Sequence, residues 1–446
     1  MSDGRGSVHL MFESVFDIDF DVSVDASESE LRAAVERCEL LKSAAAATQA
    51  RATALWAARR HAAEQAAGVP KARRGKGLST EVALARHDAP VLGGRHLGLA
   101  TALVHEMPHT LAALQAGVLS EWRATLIVQA SACLSVEHRR ELDAELCADQ
   151  TRLRGWGNNR VAAEAKQITA RLDAAAVVER ARAAVADSAV SVRPASDTMV
   201  YLTVRLPLHK GVAVYAACKR AADTHGGGDG RSRGQVMADT VYERVTGRAA
   251  DAPVPVALNL VMSDTTLAGD DDELGWLDGY GPVPAGFCRA LTADEASHAD
   301  GAEVRSTLRR LYRHPSSGQL VAMESKARIF PKGLAVLIER RDRTCRTPFC
   351  NARIRHHDHA NPDRRGGPTN AVNGLGLCEA CNYAKEASGW TVTTGEAGGE
   401  HHAEFHTPTG AVYRSVAPPL PGPPVRRKLS LLEGRLSVDL ITFDAA

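Results

Sequence analysis

Aromatic side chains are few, at 4% of 446 residues. No run of about 18 uncharged apolar residues occurs, so no membrane-spanning helix is expected. The N-terminus, MSDGRGSVHLMFESVFDIDFDVSVD, has no basic start followed by an apolar stretch, which argues against a secretory leader. No disulfide framework is visible: Cys38, Cys133, Cys147, Cys218 and Cys288 are scattered through apolar or helical surroundings. Five buried thiols in a reducing cytoplasm are the simpler account. No internal repeat is found.

The length implies two or three domains, and a hydrophobic content of 44% is enough for real cores. Alanine is abundant in the first half, which favours helices packed through small residues. Ser27 and Glu30 form a capping box ahead of a long helix running to about Gly68, with Leu31, Val35, Cys38, Leu41 and Leu55 expected on its apolar stripe. GVPKARRGKG (68–77) then makes a basic surface loop, either a solvated turn or a contact for a phosphate backbone. Further helices are expected at 80–86, 97–106, 107–117, 120–134, 136–153 and 159–186. Pro108 starts the third and Gly117 closes it. From Val190 β-branched residues appear. Strands at 198–206 and 255–262, with helices at 211–224 and 235–246, make a small α+β section. A helix at 330–340 leads to the densest stretch of chemistry.

That stretch, 345–382, reads CRTPFCNARIRHHDHANPDRRGGPTNAVNGLGLCEACN. Cys345-x4-Cys350 and Cys378-x2-Cys381 are two close pairs separated by 27 residues, a spacing that suits a four-thiolate structural Zn²⁺ site. Four thiolates leave no open position on the ion, so the acidic and imidazole groups between the pairs need another account. Residues 353–360 resemble a strand, 362–374 a turn, 375–377 a second strand and 378–388 a helix. Such a unit would bring Asp358 and Asn382 together as oxygen ligands for Mg²⁺ or Mn²⁺, with His359 beside them to deprotonate water. Neighbours in a regular strand point to opposite faces, so a bend at Asp358–His359 is required, and Pro362 and the glycines are placed to supply it. Asn373 would fix the turn. His356 and His357 read as surface or packing residues, and Asn361 and Asn370 as turn residues. Segment 326–385 carries 12 Lys and Arg against 5 Asp and Glu, a local charge of +7 in a chain of net charge +1. Arg355, Arg364, Arg365 and Lys385 are therefore candidates to hold backbone phosphates of a nucleic acid.

The run CRTPFC…DHANPDRRGGPTNAVNGLGLCEACNYAK resembles the zinc-knuckle class of HNH endonucleases, patterned as two cysteine pairs around DH-x-x-P…GG…N…LCxxCN-x-x-K. The resemblance implies a C-terminal ββα-metal module. In it Asp358 is a metal ligand, His359 the general base, Asn373 the middle asparagine, and Asn382 the second ligand, where many relatives have histidine. LVHEMPHTLAALQAGVLSEWRA (103–124), GYGPVP (279–284) and RRLYRHPSSGQL (309–320) are similar to a helical domain of unknown function, number 222. It precedes HNH modules in actinobacterial proteins, some within mobile repeats. The implied organisation is a tail (1–28), a mainly α domain with the small α+β part (29–320), the nuclease module (321–395), and a loop with a proline-rich tail (396–446). The implied activity is metal-dependent hydrolysis of DNA in the cytoplasm. The alternatives are a non-catalytic zinc-stabilised nucleic-acid-binding protein and an inactive mobile-element relic.

Overall fold

The computed structural model describes residues 22–225, 229–250, 259–297 and 330–422. The motif at 309–320 and the last twenty residues lie outside them. So does the first half of the strand expected at 255–262. The described residues are mainly helical with small sheets. None of their helices is long and apolar enough to cross a membrane.

In chain order come α1 (Glu28–Ala66), α2 (Leu78–Ala85), α3 (Gly93–His105), α4 (Pro108–Gln115), α5 (Glu121–Ala130), α6 (Val136–Cys147), α7 (Asn158–Leu172) and α8 (Ala174–Ala183). Then follow β1 (Ala189–Pro194), β2 (Val200–Arg205), α9 (Leu208–Thr224), α10 (Arg233–Thr246), β3 (Leu260–Val261), α11 (Asp264–Ala268), β4 (Gly275–Leu277), β5 (Gly281–Val283) and α12 (Ala285–Ser297). The last group is α13 (Lys332–Asp342), β6 (His356–His359), β7 (Gly374–Leu377), α14 (Glu379–Lys385), β8 (Thr391–Ala397), β9 (Glu400–His406) and β10 (Val412–Val416). The chain divides into two compact units, Met1–Arg59 with Leu97–Val177, and Arg60–His96 with Val178–Ala446.

The first unit is a helical core. The capping box forms as expected, Ser27 N donating to Glu30 and Glu30 N to the Ser27 hydroxyl. The expected apolar stripe of α1 is corrected: Leu31, Val35, Cys38 and Leu55 are exposed, and the buried face is Ser43, Ala46, Ala47, Ala50, Thr53 and Ala54. Cys38, and the half-buried Cys133, are therefore not the buried thiols expected. Small side chains let Leu99, Leu103, Leu111 and Leu114 approach the helix closely. The MPHT motif has a structural explanation. Asp143, fully buried on α6, accepts the amides of His109 and Thr110 at 2.8 and 2.7 Å and the Thr110 hydroxyl at 2.6 Å, satisfying the orphan donors that open α4. The single helix expected at 159–186 breaks at Asp173, which leaves helical geometry and accepts Ala176 N at 2.8 Å to cap α8.

In the second unit β1 pairs antiparallel with β2, a strand partner the sequence reading did not include. GYGPVP forms the turn and second strand of the β4–β5 hairpin. The loop expected from residue 396 is corrected. Residues 391–416 form an antiparallel sheet in the order β10-β9-β8, whose β9 alternates buried His401, Ala403 and Phe405 with more exposed neighbours. Ala403 and Phe405 share a cluster with Cys345, Cys350, Cys381, Leu375, Leu377 and Trp390, so this sheet is part of the floor beneath the cysteine stretch.

Candidate functional site

The cysteines meet first. Cys345, Cys350, Cys378 and Cys381 place all four sulfur atoms within 4.8 Å of one another, and Cys350 Sγ lies 3.9 Å from Cys378 Sγ. All are free thiols. A tetrahedron with metal–sulfur bonds of about 2.3 Å has edges of roughly 3.8 Å, so the set fits one Zn²⁺. Local structure explains the convergence. Cys350 N donates to Thr347 O at 3.0 Å to form the first knuckle, with Phe349 at φ 61°. Arg346 N donates to Gly376 O at 3.0 Å, tying that knuckle to β7. Cys378 opens α14, which brings Cys381 round one turn later. Crowding splits the acidities: bonds from the other three thiols hold Cys378 far below the ordinary thiol value, while Cys381 is pushed up.

β6 and β7 form an antiparallel hairpin pairing Asp358 with Leu375 and His359 with Gly374, and α14 packs on β6. The required bend at Asp358–His359 is not present. Pairing stays regular through His359, and the chain bends only at Ala360 and Asn361. The two side chains approach by another route, the Asp358 carboxylate curling back so that Oδ1 accepts His359 N at 2.8 Å and lies 3.7 Å from His359 Nδ1. His359 is buried. Its Nε2 is 2.8 Å from Thr369 Oγ1, and its ring packs on Phe330 at 4.7 Å.

Asn373 is the staple of the connecting loop. Its Oδ1 accepts Asn361 N at 2.9 Å, and its Nδ2 donates to Asn361 O at 3.0 Å and Pro368 O at 2.9 Å. Gly367 completes this fold-back, since a Cβ there would lie 1.8 Å from Asn361 O. The side chain thus performs the turn-fixing role expected of it.

Lys385, expected to hold phosphate, is buried instead. Its ammonium is 2.9 Å from Asp358 Oδ2 and 2.7 Å from Glu386 Oε1. Arg364 holds the other oxygen of Glu386 at 2.6 Å. Burial works against ionising Asp358, but the Lys385 ammonium outweighs it and the carboxyl sits below its ordinary value. Asn382 lies three residues before Lys385 on α14 and so shares its face. Its Oδ1 is buried with no partner among the described residues. Arg355 and Arg365 are exposed. A cavity of about 600 Å³ is lined by Arg364, Arg365, Asn373, Lys385 and Trp390, among others, but not by Asp358, His359 or Asn382.

Part of the local charge is spent internally. Arg341 and Arg346 both grip the fully buried Asp342, at 2.7 and 3.0 Å, and Asp342 Oδ2 also accepts Gly376 N at 2.7 Å. Arg341 reaches Gly374 O at 2.7 Å and Arg346 reaches Ser415 O at 3.1 Å, so one carboxylate joins α13, β7 and β10. Arg340 pairs with Asp278. His401 is buried with Nε2 2.8 Å from Val372 O, and burial pushes its imidazole down to about 3. The sequence reading missed this network. Its one available signal was a carboxylate, Asp342, among four arginines within seven residues.

No family model, no curated protein and no solved structure matches this chain.

Proposed function

We propose that this is a metal-dependent endonuclease of the zinc-knuckle HNH type, hydrolysing DNA phosphodiester bonds at Asp358, His359 and Asn382. The observation that carries the reading is Asn382 Oδ1, a buried acceptor with no partner among the described residues, on the helix face whose Lys385 reaches Asp358. A partnerless amide oxygen and a carboxylate that already attracts a cation suit a hard divalent ion, Mg²⁺ or Mn²⁺. Asp358 and Asn382 would hold it, and bound there it supplies positive charge to the phosphoryl oxygens in the transition state. In this reading His359 Nε2–H donates to Thr369 Oγ1, which leaves the Nδ1 lone pair, 3.7 Å from Asp358 Oδ1, as the base. That nitrogen takes the proton as water oxygen attacks phosphorus and the 3′ oxygen departs. Asn373 keeps the loop closed beneath the reacting groups. Arg355, Arg364 and Arg365 hold the flanking phosphates. The cysteine cluster, with structural Zn²⁺, braces the hairpin against α14.

Nicking of supercoiled plasmid with Mg²⁺ or Mn²⁺ tests this. His359→Ala should lower the rate at least about 100-fold with zinc content unchanged, and undiminished nicking would refute the role. A second reading, a zinc-stabilised DNA-binding module without catalysis, is favoured by the ammonium on Asp358 and the Thr369 bond to His359. It requires salt-dependent binding and no cleavage with any divalent metal.

A further inference from the structure

Segment Arg60–His96 falls in the same compact unit as the cysteine stretch, and its attachments there are specific. Leu84 of α2 is fully buried in the cluster that contains Cys345, Cys350 and Trp390. Glu81, 2% exposed, takes Arg60 at 2.9 Å and the Thr409 hydroxyl at 3.1 Å. A buried carboxylate is tolerated only when its partners are in place, so these contacts fix the orientation of α2. Just before α2, Gly77 sits at φ +82°, and a Cβ there would lie 2.6 Å from Trp390 Nε1 and 3.0 Å from Ala387 Cβ. Trp390 and Ala387 both line the cavity beside Arg365, so the end of the 68–77 loop abuts the cavity wall.

The charges of that loop divide into two sets. Arg74 is used internally, donating to Val69 O at 2.8 Å and Gln65 Oε1 at 2.9 Å, and Glu64 accepts Gly75 N at 2.6 Å. These bonds give the loop a defined shape. Lys71, Arg73 and Lys76 are exposed, and none of them holds an ion pair among the described residues. Three like charges within six residues repel one another, and a polyanion arriving from solvent relieves that repulsion.

We propose that Lys71, Arg73 and Lys76 form a clamp for the phosphate backbone of duplex DNA, extending the surface of Arg364 and Arg365 onto the loop that precedes α2. The choice of ligand rests on the nuclease reading above; the anchoring of the loop does not. The clamp reads no bases, so its contribution is the same for every sequence and vanishes with salt.

Fluorescence anisotropy with a labelled 30-base-pair duplex, across a range of KCl concentrations, tests the clamp on the full chain. Each neutralised phosphate contributes about 0.9 to the slope of log affinity against log salt. The triple variant Lys71→Ala, Arg73→Ala, Lys76→Ala should therefore lower the slope by about 2 to 3, with zinc content and thermal midpoint unchanged. The charge-conserving variant Lys71→Arg, Lys76→Arg should keep the wild-type slope. An unchanged slope in the triple variant, or no duplex binding by the wild type, overturns the clamp. Wild-type plasmid nicking, measured alongside, separates the two ideas. A lowered slope without nicking upholds the clamp against the nuclease reading, and nicking with an unchanged slope does the reverse.

Discussion

Lys385 Nζ lies 2.9 Å from Asp358 Oδ2, so the carboxylate expected to bind a divalent ion carries an ammonium in its place. Glu386 offers that ammonium a second seat at 2.7 Å. A divalent ion at Asp358 therefore competes with Lys385, and the lysine has somewhere to go. Lys385→Met should tighten Mn²⁺ binding about tenfold, equivalent to ~1.4 kcal/mol, when measured by titration calorimetry. Unchanged or weaker binding would contradict a shared cation position.

Removing zinc should cost the hairpin and α14 their order. In a segment this rich in loops, metal binding contributes on the order of 10 kcal/mol to folding. Cys378→Ser should lower zinc content below one ion per chain and expose amides such as Gly376 N to hydrogen exchange. Full protection in the zinc-free protein would show that the apolar cluster suffices alone.

Stability of the second unit should fall with acid because of His401. Its folded pKa is about 3 against an ordinary 6.5, so between those values the unfolded chain binds the extra proton. The stabilisation is complete above pH 6.5 and is lost as pH falls toward 3, with a slope approaching ~1.4 kcal/mol per pH unit. Asp342 and Asp358 are also held below their ordinary 3.8, so their losses begin lower in the same direction. Denaturant midpoints between pH 4.5 and 7 separate the histidines from the carboxylates. Burial also pushes His357 below its ordinary value, so His401→Gln should reduce the slope there without abolishing it. An equal slope in the variant would assign the effect elsewhere.

Asp342→Ala strands two buried guanidinium groups and should destabilise by about 3–5 kcal/mol. Arg171→Ala, which removes a partner of Glu145 from a largely exposed pair, should cost under about 1 kcal/mol. Urea denaturation of the two variants makes the comparison, and similar losses would contradict the burial argument.

Local chemistry was legible in the sequence and long-range placement was not. The cysteine pairs could be read because chelation constrains residues close in sequence, and the strand–turn–strand–helix order around Asp358 followed from its glycines and proline. Asn373 was readable as a turn residue for the same reason. Leu31 and Val35 misled because large apolar residues were expected to mark the buried face of α1, whereas its alanines permit closer packing. β9 was missed because EHHAEFH hides its alternation behind histidines, of which His401 is buried and His402 is not. The positive charge of 326–385 overstated the surface available to a polyanion, since Arg341, Arg346 and Lys385 are buried against Asp342 and Asp358. No local pattern announces that Glu81 will meet Thr409.

Anomalous scattering from crystals soaked in MnCl₂ tests the central claim most directly. The account predicts a manganese peak within about 2.3 Å of both a carboxylate oxygen of Asp358 and Oδ1 of Asn382, with Lys385 turned toward Glu386. No peak at saturating Mn²⁺, with Lys385 still on Asp358, would contradict it.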